Sequence, residues 1–209
     1  MIFISGDPRI ASSWQGGLPT ETDVAVFDNT SAAFTATQAD HWGGVRFNGY
    51  TQTFSRSAYN LTLGEEGFDA AAASTGTVNL GTATIMNYGK YDGRGLPVAN
   101  FIVGNATWHQ KGGASDKRVT WIDASNYRRD FASLVFDDGC FVDVAGFANT
   151  TRVAINGNTR LVNRLYMYMT MEAPGSLVIG PNATVSGPGY IEISRASLST
   201  TAQTRWLIY

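Results

Sequence analysis

Gly44-Val45-Arg46-Phe47-Asn48-Gly49 is the phrase on which the fold turns. Apolar and polar residues alternate across it, which is the two-residue period of a strand with one buried face. Asn-Gly then ends the run, because both residues enter the positive-φ conformations of a tight bend at little cost. The same unit, a short alternation closed by Gly or Asn, recurs in both directions. Upstream stands Val24-Ala25-Val26-Phe27, followed by Asp28-Asn29. Downstream come residues 51–54, Leu61-Thr62-Leu63-Gly64, Val78-Asn79-Leu80-Gly81 and 83–85. Further units follow at 101–105, 119–122, 134–136, 141–144, 153–157, 165–169, 177–180, 183–185 and 190–193. Thr and Val favour strands, so the chain reads as all-β throughout.

The units return every 15 to 24 residues or so, with drift. A parallel β-helix, or β-solenoid, tolerates such drift, because insertions go into the corners between its faces. Each coil then stacks on the one before, and backbone N–H groups find carbonyls in the next coil. The alternative is an antiparallel β-sandwich or jelly roll, for which Asn48-Gly49 and Asn156-Gly157 serve as hairpin signals. Helical signals are weak: residues 68–73 predict one or two turns, and 124–133 a short helix capped by Ser125. Residues 88–98 and 109–117 read as loops. The expected organisation is one solenoid domain over 1–194, followed by a C-terminal arm, 195–209, with an apolar tip.

Charged residues make up 15% of the 209 residues, against a norm of about 25%. Three of the fifteen basic residues are lysines (Lys90, Lys111 and Lys117) and twelve are arginines. Protein interfaces are depleted in Lys and Glu and enriched in Arg and aromatic residues, so the composition suits a surface that partners cover. The formal net charge of −2 carries no basic excess that would point to nucleic acid. No apolar run approaches the roughly 18 residues of a membrane span. Cys140 is the single cysteine, so no internal disulfide framework is possible.

The stretch Trp14-Gln15-Gly16-Gly17-Leu18-Pro19-Thr20-Glu21-Thr22-Asp23-Val24-Ala25-Val26-Phe27 resembles the first coil of β-solenoid proteins of the phage-spike and autotransporter-passenger kind. In those proteins a Trp, a Gly pair, a Pro and an Asp often precede the first strand. The resemblance covers residues 14–64 and implies a fold more than a function. Autotransporters carry a signal peptide and a membrane barrel. The opening residues lack the features of a signal peptide, so the expectation is a phage virion structural protein located in the virion.

Catalytic signatures are sparse. His41 and His109 lie far apart in sequence, no zinc-ligand spacing occurs, and no nucleophile elbow or P-loop is present. No cofactor is expected and the chain is read as a non-enzyme. The carboxylates Asp137, Asp138 and Asp143, with Asp123 and Asp130, are the residues a polysaccharide-cleaving site would need, but Asp-Asp-Gly also makes an ordinary turn. Five Asn-x-Ser/Thr sequons, at Asn29, Asn60, Asn105, Asn149 and Asn182, are read as turns.

The expected function is therefore decoration or cementing of a phage capsid. The partners would be copies of the chain in a homo-oligomer, a trimer, together with the major capsid protein or other virion proteins. Neither nucleic acid nor membrane is expected as a partner. Trp206, Leu207, Ile208 and Tyr209, with Phe3 at the other end, are the candidate interface residues; the tip could instead be a last strand closing the solenoid's own end. The alternative is a tail-fibre or spike module that stacks host glycan on exposed rings, with Trp42, Tyr91, Trp108 and Trp121 as candidates beside Tyr88. Burial in the core is the competing fate of those rings.

Overall fold

The computed structural model describes the backbone of residues 1–97, 100–102, 106–111, 119–122, 133–136, 140–143, 147–148, 152–155, 158–161, 164–169, 176–181, 183–195 and 204–208. Side chains are described through residue 111 within these ranges, and at 154, 155, 159, 161, 177–181 and 183–191.

The chain is a parallel β-solenoid with three faces, here called X, Y and Z. Face X stacks residues 40–42, 61–63, Thr84–Asn87, Thr107–Gln110, Ser133–Phe136, Arg152–Ile155 and Ser176–Ile179. Face Y stacks Ile2–Phe3, Val24–Asp28, 44–48, 67–69, Tyr91–Asp92, Val119–Ile122, Cys140–Asp143, Asn158–Leu161 and Thr184–Ser186. X and Y belong to one fifteen-stranded sheet, because Asp40–Asn48 and Leu61–Asp69 run through the corner between them. Face Z holds Phe34–Thr35, Thr53–Ser55, Thr77–Asn79 and Phe101–Ile102. Above these come Phe147–Ala148, Arg164–Met169 and Tyr190–Arg195, with Thr204–Ile208 added antiparallel.

The step from one coil to the next is longer and less regular than the sequence suggests. Phe141 stands on Arg160, 19 residues on; Val24 on Gly44, 20 on; and Tyr91 on Trp121, 30 on. Corner loops absorb the difference while the stacked strands stay short.

Alternation decides what fills the interior. On face Y, Ala25, Val45, Phe68 and Tyr91 form one inward row; on face Z, Phe34, Phe54, Val78 and Phe101 form another, all buried. In-register parallel stacking places like rings one strand apart, and three such pairs lie nearly parallel. Phe34 and Phe54 have centroids 4.9 Å apart at 9°, Phe68 and Tyr91 5.3 Å at 15°, and Phe27 and Phe47 5.5 Å at 23°. Each such pair adds about 0.5–1.5 kcal/mol beyond its buried area.

Two glycines show how close the corners are. Gly67 has φ +69°, and a Cβ there would land on the Lys90 carbonyl oxygen. A Cβ on Gly44 would lie 2.6 Å from the Glu66 Cβ. The X–Y corner can bend this sharply only where the stacked residues have no side chain.

Several expectations are corrected. The pairing is parallel, so the sandwich alternative falls, and Asn48-Gly49 makes a corner between faces Y and Z instead of a hairpin: Gly49 has φ +70°. Residues 68–73 hold no helical turn; Phe68 and Asp69 end a strand, because Phe68 belongs to the inward row. The loop expected over 88–98 contains the strand Tyr91–Asp92, and the one over 109–117 begins inside the strand Thr107–Gln110. Residues 112–117, and the helix expected over 124–133 except for Ser133, lie outside the described residues.

Candidate assembly surfaces

Outward rows give each face its chemistry. On face Y the row runs Ile2, Val26, Arg46, Asp69 and Asp92, of which Asp92 is fully buried. Arg46 pairs with Asp69 on the next rung at 3.2 Å. Asp92 is held by the Arg94 guanidinium, whose Nε and Nη2 donate at 2.9 and 2.7 Å, and by Lys90 Nζ at 3.5 Å. Burial pushes the Asp92 carboxyl up; the Arg94 hydrogen bonds and the two cations outweigh it and hold it below 3.8. Asp69 and Asp92 thus meet on adjacent rungs as ion-paired carboxylates.

Faces X and Z differ. The outward row of X begins His41, Thr62, Met86, His109, and beside it stand Thr84 and Thr107. His41 and His109 share this row three rungs apart, roughly 14 Å at the usual strand spacing, too far to act on one group. His41 Nδ1 lies 3.7 Å from Glu21. On Z the outward rows are Thr35, Ser55, Asn79, Ile102 and Thr53, Thr77. These outward rows of X and Z contain no Lys, Arg, Asp or Glu.

Buried polar groups lie at the corners. Arg56 is fully buried: its guanidinium pairs with Asp40, donates to the carbonyls of Tyr59, Asn60 and Gln38, and lies 5.8 Å from the Trp42 ring centroid. Asn87 and Gln110 follow Leu63 in an inward row of X. The Asn87 amide donates to Gln110 Oε1 at 2.9 Å, Trp108 Nε1 donates to the same oxygen at 3.1 Å, and Gln110 Nε2 donates to the Gly89 carbonyl at 2.7 Å. The Tyr50 hydroxyl lies 3.0 and 2.9 Å from the carbonyls of Ala32 and Thr53, and burial pushes it up to about 12.

The N-terminal end is closed. Trp14–Gln15 pairs antiparallel with Ile2–Phe3, and the Trp14 indole, donating to the Pro8 carbonyl at 2.9 Å, lies over Phe3, Phe27, Phe34 and Trp42. Asp7 accepts from Arg9 on the outside of this cap, and that bond lowers its carboxyl to about 2. The resemblance residues Trp14 to Phe27 are therefore the cap and the first full strand.

The candidate residues separate on this frame. Trp42, Tyr91 and Trp108 are buried, with exposures of 3%, 0% and 0%, so the expected stacking platform does not exist at these rings; they are large and fall on inward rows. Tyr88 is exposed, with Lys111 Nζ 5.5 Å from its centroid. Trp121 lies in register above Tyr91, and its side chain is outside the described residues. Phe3, expected at an interface, is a core residue with 0% exposure. Trp206, Leu207 and Ile208 lie in the last strand, facing Ile193, Glu192 and Ile191; Tyr209 lies outside the described residues. Asp143 ends a strand of face Y, while Asp123, Asp130, Asp137 and Asp138 lie outside the described residues.

Sequence reasoning missed Arg56 and the Asn87–Gln110 pair. The signal for the latter was present: Thr107-Trp-His-Gln110 alternates, so Trp108 and Gln110 must share a side. Among the described residues no cluster of three or more His, Cys, Asp or Glu could hold a metal ion. The chain matches no known protein-family model, no curated protein and no solved structure.

Proposed function

We propose that this chain is a rigid, non-catalytic structural subunit of a larger assembly, and in its finer form a virion protein that decorates or cements a phage capsid as a homotrimer. The solenoid supplies a stiff, largely β, oligomer-capable frame. The observation that carries the reading is the segregation of charge: ion pairs gather on face Y and at the corners, whereas the rows of X and Z through residue 109 are Thr, Ser, Asn, His and Met with one Ile. Surfaces depleted of Lys and Glu lose little on desolvation and suit protein contact.

Four carboxylates serve the turns and corners of the frame. Asp7, Asp23, Asp28 and Asp92 all sit below the ordinary value, each as an acceptor for turn or guanidinium donors.

Sedimentation velocity of the purified chain, with and without purified expanded capsid shells, tests the proposal. Self-association to a trimer and saturable co-sedimentation with shells are expected. A chain that stays monomeric at all concentrations and ignores the shells would overturn it.

A further inference from the structure

Asn48-Gly49 does more than turn the chain. Asn48 ends the strand Asp40–Asn48, and it is exposed on the outward side of face Y. Gly49 follows with φ +70°, and a Cβ built on it would meet nothing within 4 Å. Joining the Cγ of an asparagine to the nitrogen of the next residue closes a five-membered ring. A side chain on that next residue hinders the closure, and glycine has none. The corner between faces Y and Z therefore holds an electrophile and a nucleophile side by side, open to water.

Hydrogen bonding separates this pair from the other asparagines. An amide that donates a hydrogen bond keeps its proton and is held in place. After Asn29, the Thr30 N–H donates to Asp28 Oδ1 at 2.8 Å. After Asn79, the Leu80 N–H donates to the Ile102 carbonyl at 2.9 Å; after Asn87, the Tyr88 N–H donates to the Leu63 carbonyl at 2.9 Å. The Gly49 N–H meets no acceptor among the described residues. Asp92-Gly93 could close the same ring from a carboxyl group. There the carboxylate is fully buried and gripped by two hydrogen bonds from Arg94.

We infer that Asn48-Gly49 is a self-modifying site, which deamidates in the folded protein and loosens the Y–Z corner as it does so. The Gly49 nitrogen attacks Asn48 Cγ. A new C–N bond forms, the Cγ–Nδ2 bond breaks, and ammonia leaves with the amide proton. Water then opens the cyclic imide. Attack at Cγ leaves aspartate; attack at the main-chain carbonyl carbon leaves isoaspartate, with the chain running through Cβ and Cγ. One water is consumed and one ammonia released. Either product places a carboxylate in register with Asp28, one strand spacing away, roughly 4.8 Å. Like charges directly opposite one another destabilise a sheet. Isoaspartate also adds a methylene to the main chain between Phe47 and Tyr50. Both rings are fully buried, and the Tyr50 hydroxyl is tied to the carbonyls of Ala32 and Thr53, so the corner has no slack to absorb it.

The full chain is aged in mildly alkaline buffer, folded and urea-unfolded in parallel, and mapped by mass spectrometry with aspartate and isoaspartate peptides resolved. In the folded chain Asn48 is expected to convert within about tenfold of its rate in urea, since a strand end opens at little cost. Asn29, Asn79 and Asn87 are expected to stay intact over the same time. Slower conversion of Asn48, or conversion of those three alongside it, would overturn the inference. Asn48→Gln tests the consequence, because its carboxamide is one carbon farther and the five-membered ring cannot form. Ageing is expected to lower Tm by about 2–4 °C more in the parent chain than in Asn48→Gln. Asn156, also followed by glycine, is present in both chains, so the difference belongs to Asn48. An equal fall in both would overturn the claim that the modification loosens the corner.

Discussion

The two ends of the solenoid meet the same physical problem and solve it to different extents. A stack of parallel strands has no intrinsic stopping point, since each rung presents the next with backbone donors and an apolar floor. At both ends the described chain reverses direction, and an antiparallel strand occupies the edge. At the N-terminal end that strand comes with a lid: Trp14 covers the first rung's rings, and the Ile4 N–H donates to the Ser13 carbonyl while the Ile4 carbonyl accepts from Ala32 N–H. At the C-terminal end, among the described residues, the reversal covers face Z alone. Trp14 is 3% exposed at one end, whereas Ile179 and Val185 are 48% and 38% exposed at the other. Reversal blocks only the face it crosses, and a large ring is needed to close the rest.

Substitutions at the two ends probe this contrast directly. Trp14→Ala removes a ring that is 3% exposed and touches four others, so a loss of about 3–5 kcal/mol in urea unfolding is expected; a loss below that of an ordinary surface substitution would mean that the cap does not close the core. Arg56→Met is next. It strips the partner from Asp40 and from three carbonyls at the Z–X corner, and about 3 kcal/mol of destabilisation is expected, since a buried charge left alone is costly. Stability unchanged by Arg56→Met would show that the first corners do not depend on this ion pair.

Asp92→Asn has a smaller effect with a pH signature. The folded carboxyl lies below 3.8, so its contribution is fully present above the unfolded value and is lost as pH falls through the folded one. The variant is expected to be about 1–2 kcal/mol less stable at neutral pH and to converge with the parent in acid; parallel stability curves down to the acid limb would contradict this account of face Y. The smallest effect belongs to the C-terminal end. Ile179→Ala is expected to cost under about 1 kcal/mol in the free protein, because half the side chain is already in water, and a cost comparable to Trp14→Ala would show that this side chain is covered.

Much of the strand set was legible. Residues 119–122 were marked to the residue, and most others within two, because Val, Phe, Leu and Ile alternate there with polar partners. The strands that were missed are short or polar: Ile2–Phe3, Trp14–Gln15, Phe34–Thr35, Tyr91–Asp92, Thr107–Gln110, Phe147–Ala148 and Asn158–Leu161. Two to four residues cannot show a period, and Asn, Gln and Thr on an inward row look like turn residues until their hydrogen-bond partners are known. The candidate surfaces were less legible. Trp42, Tyr91 and Trp108 seemed as available as Tyr88, since a large ring carries no mark of its side of the sheet when the strand around it has not been recognised.

The local rhythm was determined by the sequence alone: short strands, Gly and Asn at the bends, few charges and hardly any lysine. Alternation acts between residues two apart, so it can be read without knowing any partner. Parallel stacking, the rings on inward rows, the burial of Arg56 and the partial exposure of Ile179 and Val185 were decided only by the tertiary structure. Each depends on which strand lies above which, and that is set by coil steps of 19 to 30 residues whose length accumulates in the corners. A corner's length in residues does not by itself say where the next strand lands; the fit of Gly67 under the Lys90 carbonyl and of ring upon ring does.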